Sequence, residues 1–130
     1  MKNTRLAPRV KIDMEIPSEI EKVEGQGGAL ASENRFKARA FDISRKGIGV
    51  IVDFLLPRGL IIKLNIKGEP FGLDKDMELK GEITHCHYVK VRQYICGIKF
   101  LDMPDEYKKT ISNFIDAYEK RQFPRLDLPH

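Results

Sequence analysis

Val10, Ile12, Met14 and Ile16 alternate with Lys11, Asp13 and Glu15, which is the two-residue period of a strand with one face in water. Similar extended segments follow. "RFKARAFDIS" from Arg35, "IGVIVDF" from Ile48 and "LIIKLNI" from Leu60 are predicted as the second to fourth strands, with "PRG" at 57–59 as a turn. "MELKGEITHCHY" from Met77 and "RQYICGIKFL" from Arg92 give two more, joined by a short turn near Lys90. The period then changes. Tyr107, Ile111, Phe114, Ile115 and Tyr118 fall on one helical stripe, with Asp105 and Glu106 at its start, Lys120 and Arg121 at its end and Pro124 just beyond. The glycine-rich stretch Glu24–Asn34 reads as a loop, and no lysine or helix start follows it as a phosphate-binding loop would require. A short antiparallel sheet of six strands has to hide its edges. The expected class is therefore mainly β: a small closed or nearly closed six-stranded antiparallel barrel with a C-terminal α-helix packed against it.

Composition narrows the class without changing it. A chain of 130 residues with 42% hydrophobic and 32% charged residues fits one soluble domain with one core. No apolar run reaches the roughly 20 residues of a membrane helix, and no signal-peptide core follows the basic first residues, so no membrane insertion and a cytoplasmic location are expected. In a reducing compartment Cys86 and Cys96 should stay as thiols.

The net charge of +4 is unevenly spread: residues 1–11 carry +4 and residues 35–46 a further +4, which leaves −4 for the rest. These two basic segments would form one anion-facing patch if the fold joined them. Each also contains a compact group of functional side chains. "RLAPR" sets Arg5 and Arg9 on a bent, extended arm, because Pro8 keeps Ala7 out of the helical region and fixes its own φ. "FDISRKG" places Asp42 and Ser44 two apart, on one strand face; strict alternation adds Ala38 and Ala40 to that face as a flat shelf and sends Phe41 and Ile43 the other way. Gly47 then permits a positive φ or a close backbone approach. Arginine forks suit phosphate oxygens and the O6/N7 edge of guanine, whereas a carboxylate accepts from guanine's ring N–H and exocyclic amine.

Arg5-x-x-x-Arg9 followed by Asp42-x-Ser44-x-x-Gly47 resembles the paired signature motifs of PilZ domains, bacterial receptors for cyclic di-GMP. "KGEITH" at 80–85 and "YICGIKF" at 94–100 resemble the family's later strands, so the likeness spans about Thr4 to Leu101. The resemblance implies a split barrel of the PilZ type over residues 10–121, with residues 1–9 as an arm that wraps the nucleotide and 122–130 as a tail. It further implies that Arg5 and Arg9 grip guanine and phosphate, that Asp42 takes a guanine's Watson–Crick edge, that Ser44 contacts polar atoms of the ligand, and that Gly47 shapes the approach. A receptor of this kind passes the second-messenger level to a downstream effector protein by ordering its arm. Two departures stand out. Thr4 occupies a position where many members carry another arginine, which favours one bound nucleotide over a stacked pair, and His85 stands where relatives often have a large aromatic.

Other chemistries find less support. His85 and His87 share a strand face; matching the apolar faces of the two last strands puts Cys96 near them and Cys86 across the sheet, so neither a zinc site nor a Cys86–Cys96 disulfide is expected. No serine or cysteine sits with a base in a nucleophile motif, and no enzyme is expected. The alternatives to a nucleotide receptor are a basic barrel binding RNA or DNA, for which Phe36 and Phe41 beside Arg35, Lys37 and Arg39 would be the stacking surface, and a protein-interaction module without ligand.

Overall fold

The computed structural model describes residues 9–22 and 35–122. Residues 1–8 of the arm, Arg5 among them, the Glu24–Asn34 loop and the tail beyond 122 lie outside the described residues. Six strands, β1 (Val10–Lys22), β2 (Arg35–Ile43), β3 (Gly47–Val52), β4 (Ile61–Ile66), β5 (Met77–Lys90) and β6 (Gln93–Leu101), precede one helix, α1 (Asp105–Gln122). All neighbouring strands are antiparallel, and they close into a barrel in the order β1-β2-β3-β6-β5-β4. The expected fold class holds.

Closure follows from the apolar pattern. Ile16 and Ile20 of β1, Ile48, Val50 and Val52 of β3, Ile62, Leu64 and Ile66 of β4, Met77, Leu79 and Ile83 of β5, and Cys96 and Ile98 of β6 are all buried. Each fully buried branched side chain contributes roughly 1.5–3 kcal/mol of transfer free energy, which is available only if the sheet curls round on itself. Helix α1 adds Ile111, Ile115 and Tyr118 to the same core. Phe114, on the same stripe, packs on Phe71 of the 3-10 turn Glu69–Phe71 at 4.5 Å between ring centroids.

Strand β1 runs past Ile16, where its apolar alternation stops, because it is shared: its second half pairs with both β2 and β4. Pro17 is tolerated since the β4 ladder begins only at Ser18↔Ile66, so the missing N–H falls just outside it, while the Pro17 carbonyl accepts from Lys67 N–H at 3.3 Å.

Two irregularities overturn expectations based on strict alternation. In β2 the pairing runs Ala40↔Val50 and then Asp42↔Gly49, so Phe41 is an extra residue against β3. Before that bulge Phe36, Ala38 and Ala40 face the core, and after it Ile43 does. The alanine shelf beside Asp42 therefore does not exist. In β5 Ile83↔Ile98 is followed by His85↔Gly97, which makes Thr84 the extra residue. The inward phase passes from odd to even positions, so Cys86 lies directly opposite Cys96. The two are joined by a disulfide, with Cα atoms 4.1 Å apart. This corrects the expectation of free thiols on opposite faces, and it removes Cys96 from the histidines.

Candidate ligand-binding site

The first bulge builds the site. Val10↔Ile43 and Lys11↔Asp42 are register partners, so Arg9, one residue before β1, comes opposite the end of β2. Its guanidinium Nη1 donates to Ser44 Oγ at 3.3 Å, and its Nε lies 3.5 Å from Asp42 Oδ1. Both side chains are partly shielded, with relative exposures of 30% and 13%. The contact to Asp42 is a charge contact without a hydrogen bond: Asp42 Oδ1 is buried and has no hydrogen-bond partner among the described residues. An unsatisfied buried acceptor is costly, and it is an obvious seat for a donor.

Ser44 is buried, and its hydroxyl is engaged in holding the turn. Ser44 Oγ accepts from the N–H groups of Lys46 and Gly47, both at 3.2 Å, while Ser44 N–H donates to Gly47 O at 2.8 Å. Phe100 N–H donates to Lys46 O at 2.9 Å, which ties the turn to β6. Gly47 does not adopt a positive φ; among the described residues the glycines that do are Gly59 and Gly72. What requires glycine at 47 is close approach, since a Cβ there would overlap the backbone carbonyl of Ile98. Gly49 was not singled out from the sequence. A Cβ at that position would collide with Asp42 Oδ1 and stand 3.1 Å from the Phe41 ring, so the bare backbone of Gly49 forms the seat of the carboxylate.

The second bulge supplies the opposite wall. The His85 ring lies over Gly97, where any Cβ would overlap it, and Thr84 Oγ1 sits 3.3 Å from His85 Nδ1 while donating to Gly97 O at 3.2 Å. A groove of about 340 Å³ runs between these walls, lined by Arg9, Lys46, Gly47, Thr84, His85, Gly97, Ile98 and Lys99. Lys99 and Gly97 join the groove through the β3–β6 pairing, whereas Lys46 belongs to the basic segment 35–46 already noted in the sequence. Desolvation against the sheet lowers the pKa of His85 below its usual 6.5, helped by His87 and by Arg9, while Asp42 works against the shift. The imidazole is thus held neutral beside a groove whose other charged side chains are cationic.

Among the described residues the two basic segments meet only in part, Arg9 of the first and Lys46 of the second lining the same groove. Arg35 is spent on Glu19 and Glu21, at 3.1 and 3.4 Å, and Arg45 reaches across to α1, bonding Asp116 at 2.7 Å and Ser112 at 3.1 Å. Among the described residues the cations lining the groove are Arg9, Lys46 and Lys99. Phe36 is buried, with its ring edge-on to Phe54 at 5.6 Å, and so offers no surface for stacking bases.

The sequence profile of the PilZ domain matches residues 3–117. The chain belongs to the PilZ domain family. Among solved structures it is similar to the PilZ domain of Escherichia coli YcgR with c-di-GMP, at 13% identity and a TM-score of 0.69, covering 98% of this chain and 100% of that one. It is also similar to the Bacillus subtilis inhibitor of motility MotI/DgrA (13% identity, TM-score 0.68, 96% of this chain and 54% of that one). A third is the K. pneumonia MrkH–c-di-GMP complex, at 10% identity and a TM-score of 0.71, covering 95% of this chain and 55% of that one. The chain spans about half the length of MotI and MrkH. No curated protein sequence matches it significantly. At these identities the structural likeness establishes the fold, and in this PilZ domain Arg9 contacts Asp42 and Ser44, while Arg9 and Gly47 line the groove. Among the described residues no helix is long and apolar enough to cross a membrane.

Proposed function

We propose that this PilZ domain is a receptor for cyclic di-GMP that binds the nucleotide along the Arg9–Asp42 edge of the groove and relays its level to a partner protein by ordering residues 1–9. The observation that carries this is the buried Asp42 Oδ1, an acceptor with no hydrogen-bond partner among the described residues, beside which the Arg9 guanidinium rests at 3.5 Å. The N–H edge of a guanine presents the same kind of donors. When it takes Asp42, Arg9 is released to bind guanine O6/N7 or a phosphate, and Arg5 joins it from the arm. Lys46 and Lys99 supply further positive charge for the phosphodiesters, and Ser44 and Gly47 act as positioning residues that hold the turn. The YcgR domain and MrkH, whose structures contain c-di-GMP, support the ligand, and MotI, an inhibitor of motility, supports a role in motility.

Ordering an arm costs on the order of 1–2 kcal/mol per residue, so it requires several contacts at once. Calorimetric titration of cyclic di-GMP should therefore show binding to the wild type that Arg9→Ala, Arg5→Ala and Asp42→Ala each weaken at least tenfold. Equal heats in wild type and all three variants would remove the receptor assignment.

A further inference from the structure

The β5–β6 hairpin continues beyond the barrel wall. The last β4–β5 pair is Ile61↔Glu82 and the last β3–β6 pair is Val52↔Tyr94, yet β5 runs on to Lys90 and turns through Val91 and Arg92. Large apolar side chains stand in water at this tip: Val91 is 76% exposed, Tyr88 62% and Val89 47%. The hairpin that presents them is stiff, being cross-linked by Cys86–Cys96 and by the edge-on contact of Tyr88 with Tyr94 at 5.6 Å. Exposed apolar residues clustered at one projection are a recognised mark of an interaction site.

The charge at this tip selects the partner. From Ile83 to Leu101 the sequence contains Lys90, Arg92 and Lys99 and no aspartate or glutamate. Val89, Lys90, Val91 and Arg92 alternate apolar and cationic groups at the apex itself. Beyond the last pairs with β3 and β4 this tip projects without a flanking strand among the described residues. It matches a planar interface in which valine and tyrosine enter the headgroup–acyl boundary while the cations stay among anionic headgroups.

We propose that the β5–β6 hairpin tip is a docking surface for an anionic phospholipid bilayer, on which Tyr88, Val89 and Val91 are inserted and Lys90 and Arg92 hold the headgroups. It does not depend on what the groove binds. The surface lies on the strands that carry His85 and Gly97, so docking and groove share one hairpin.

The test is sedimentation of the full chain, without nucleotide, with phosphatidylcholine vesicles and with vesicles containing phosphatidylglycerol. Each cation near an anionic surface contributes roughly fivefold in partitioning, so Lys90→Gln with Arg92→Asn should weaken binding to the anionic vesicles by about 25-fold. Asparagine suits position 92 because φ there is 62°. Val89→Ser with Val91→Ser should weaken it by tenfold or more, with both double variants melting like the wild type. Equal partitioning to the two vesicle types, wild-type partitioning of either variant, or a tip-dependent dimer with no vesicle binding would each overturn the proposal.

Discussion

Gly47 and Gly49 stand two residues apart in β3, and alanine at either should fail for a different reason. At 47 the added methyl meets the Ile98 carbonyl, which belongs to the β3–β6 ladder and cannot rotate away. Overpacking against backbone costs typically 1–3 kcal/mol. For 130 residues the unfolding entropy is about 0.27 kcal/mol/K, so Gly47→Ala should lower Tm by about 4–11 °C. At 49 the methyl meets a side-chain oxygen, Asp42 Oδ1, which can swing outward. Stability should then fall by only about 1 kcal/mol, or about 4 °C. Binding should suffer more, because a carboxylate moved from its seat loses the charge-assisted hydrogen bonds that each contribute about 1.5–3 kcal/mol, equivalent to roughly 10–150-fold in Kd. Thermal unfolding by circular dichroism and calorimetric titration of cyclic di-GMP on the two variants separate the effects. Wild-type affinity in Gly49→Ala would refute the assignment of Asp42 to the ligand. A wild-type Tm in Gly47→Ala would refute the packing argument.

The Cys86–Cys96 bond closes a short loop of ten residues' separation, for which chain entropy gives about 2.7 kcal/mol; Cys96→Ser or full reduction should lower Tm by about 10 °C, and an unchanged melting curve under reductant would show that the bond adds nothing. His85 titrates lower in the folded chain than in the unfolded one, so between those two values the unfolded state binds more protons. The stability tied to its neutral form is complete above pH 6.5 and is lost as pH falls through the lowered value; urea unfolding at pH 7.5 and 5.5, compared with His85→Phe, should show a smaller pH difference in the variant. A phosphodiester in the groove should raise the His85 pKa, observable as a shifted imidazole titration by NMR, and no shift would place the phosphates elsewhere. Arg45 and Asp116 form an exposed pair, so Arg45→Ala should change stability by no more than about 1 kcal/mol, and a loss of several would mean that α1 depends on this contact.

Much of this was written along the chain. The six strands and the helix were legible from their apolar runs and from the turn residues between them, and boundaries moved by only a few residues except in β1, whose second half alternates too weakly to be read before the barrel gives it two neighbours. The motif residues were legible as types suited to guanine and phosphate, and Arg9 does meet Asp42 and Ser44. Gly49, Thr84 and Gly97 were not, because their roles are contacts with residues of other turns and strands.

By itself, then, the sequence determined which segments extend, how many there are, and that each has apolar area to bury, since these depend on the composition and pattern within each segment. Only the tertiary structure decided the phase. One extra residue at Phe41 and one at Thr84 exchange the inner and outer faces of β2 and β5, seating Asp42 at the groove and turning Cys86 to Cys96. A bulge is selected by the two strands it must satisfy together, and alternation read along one strand carries no record of its partner.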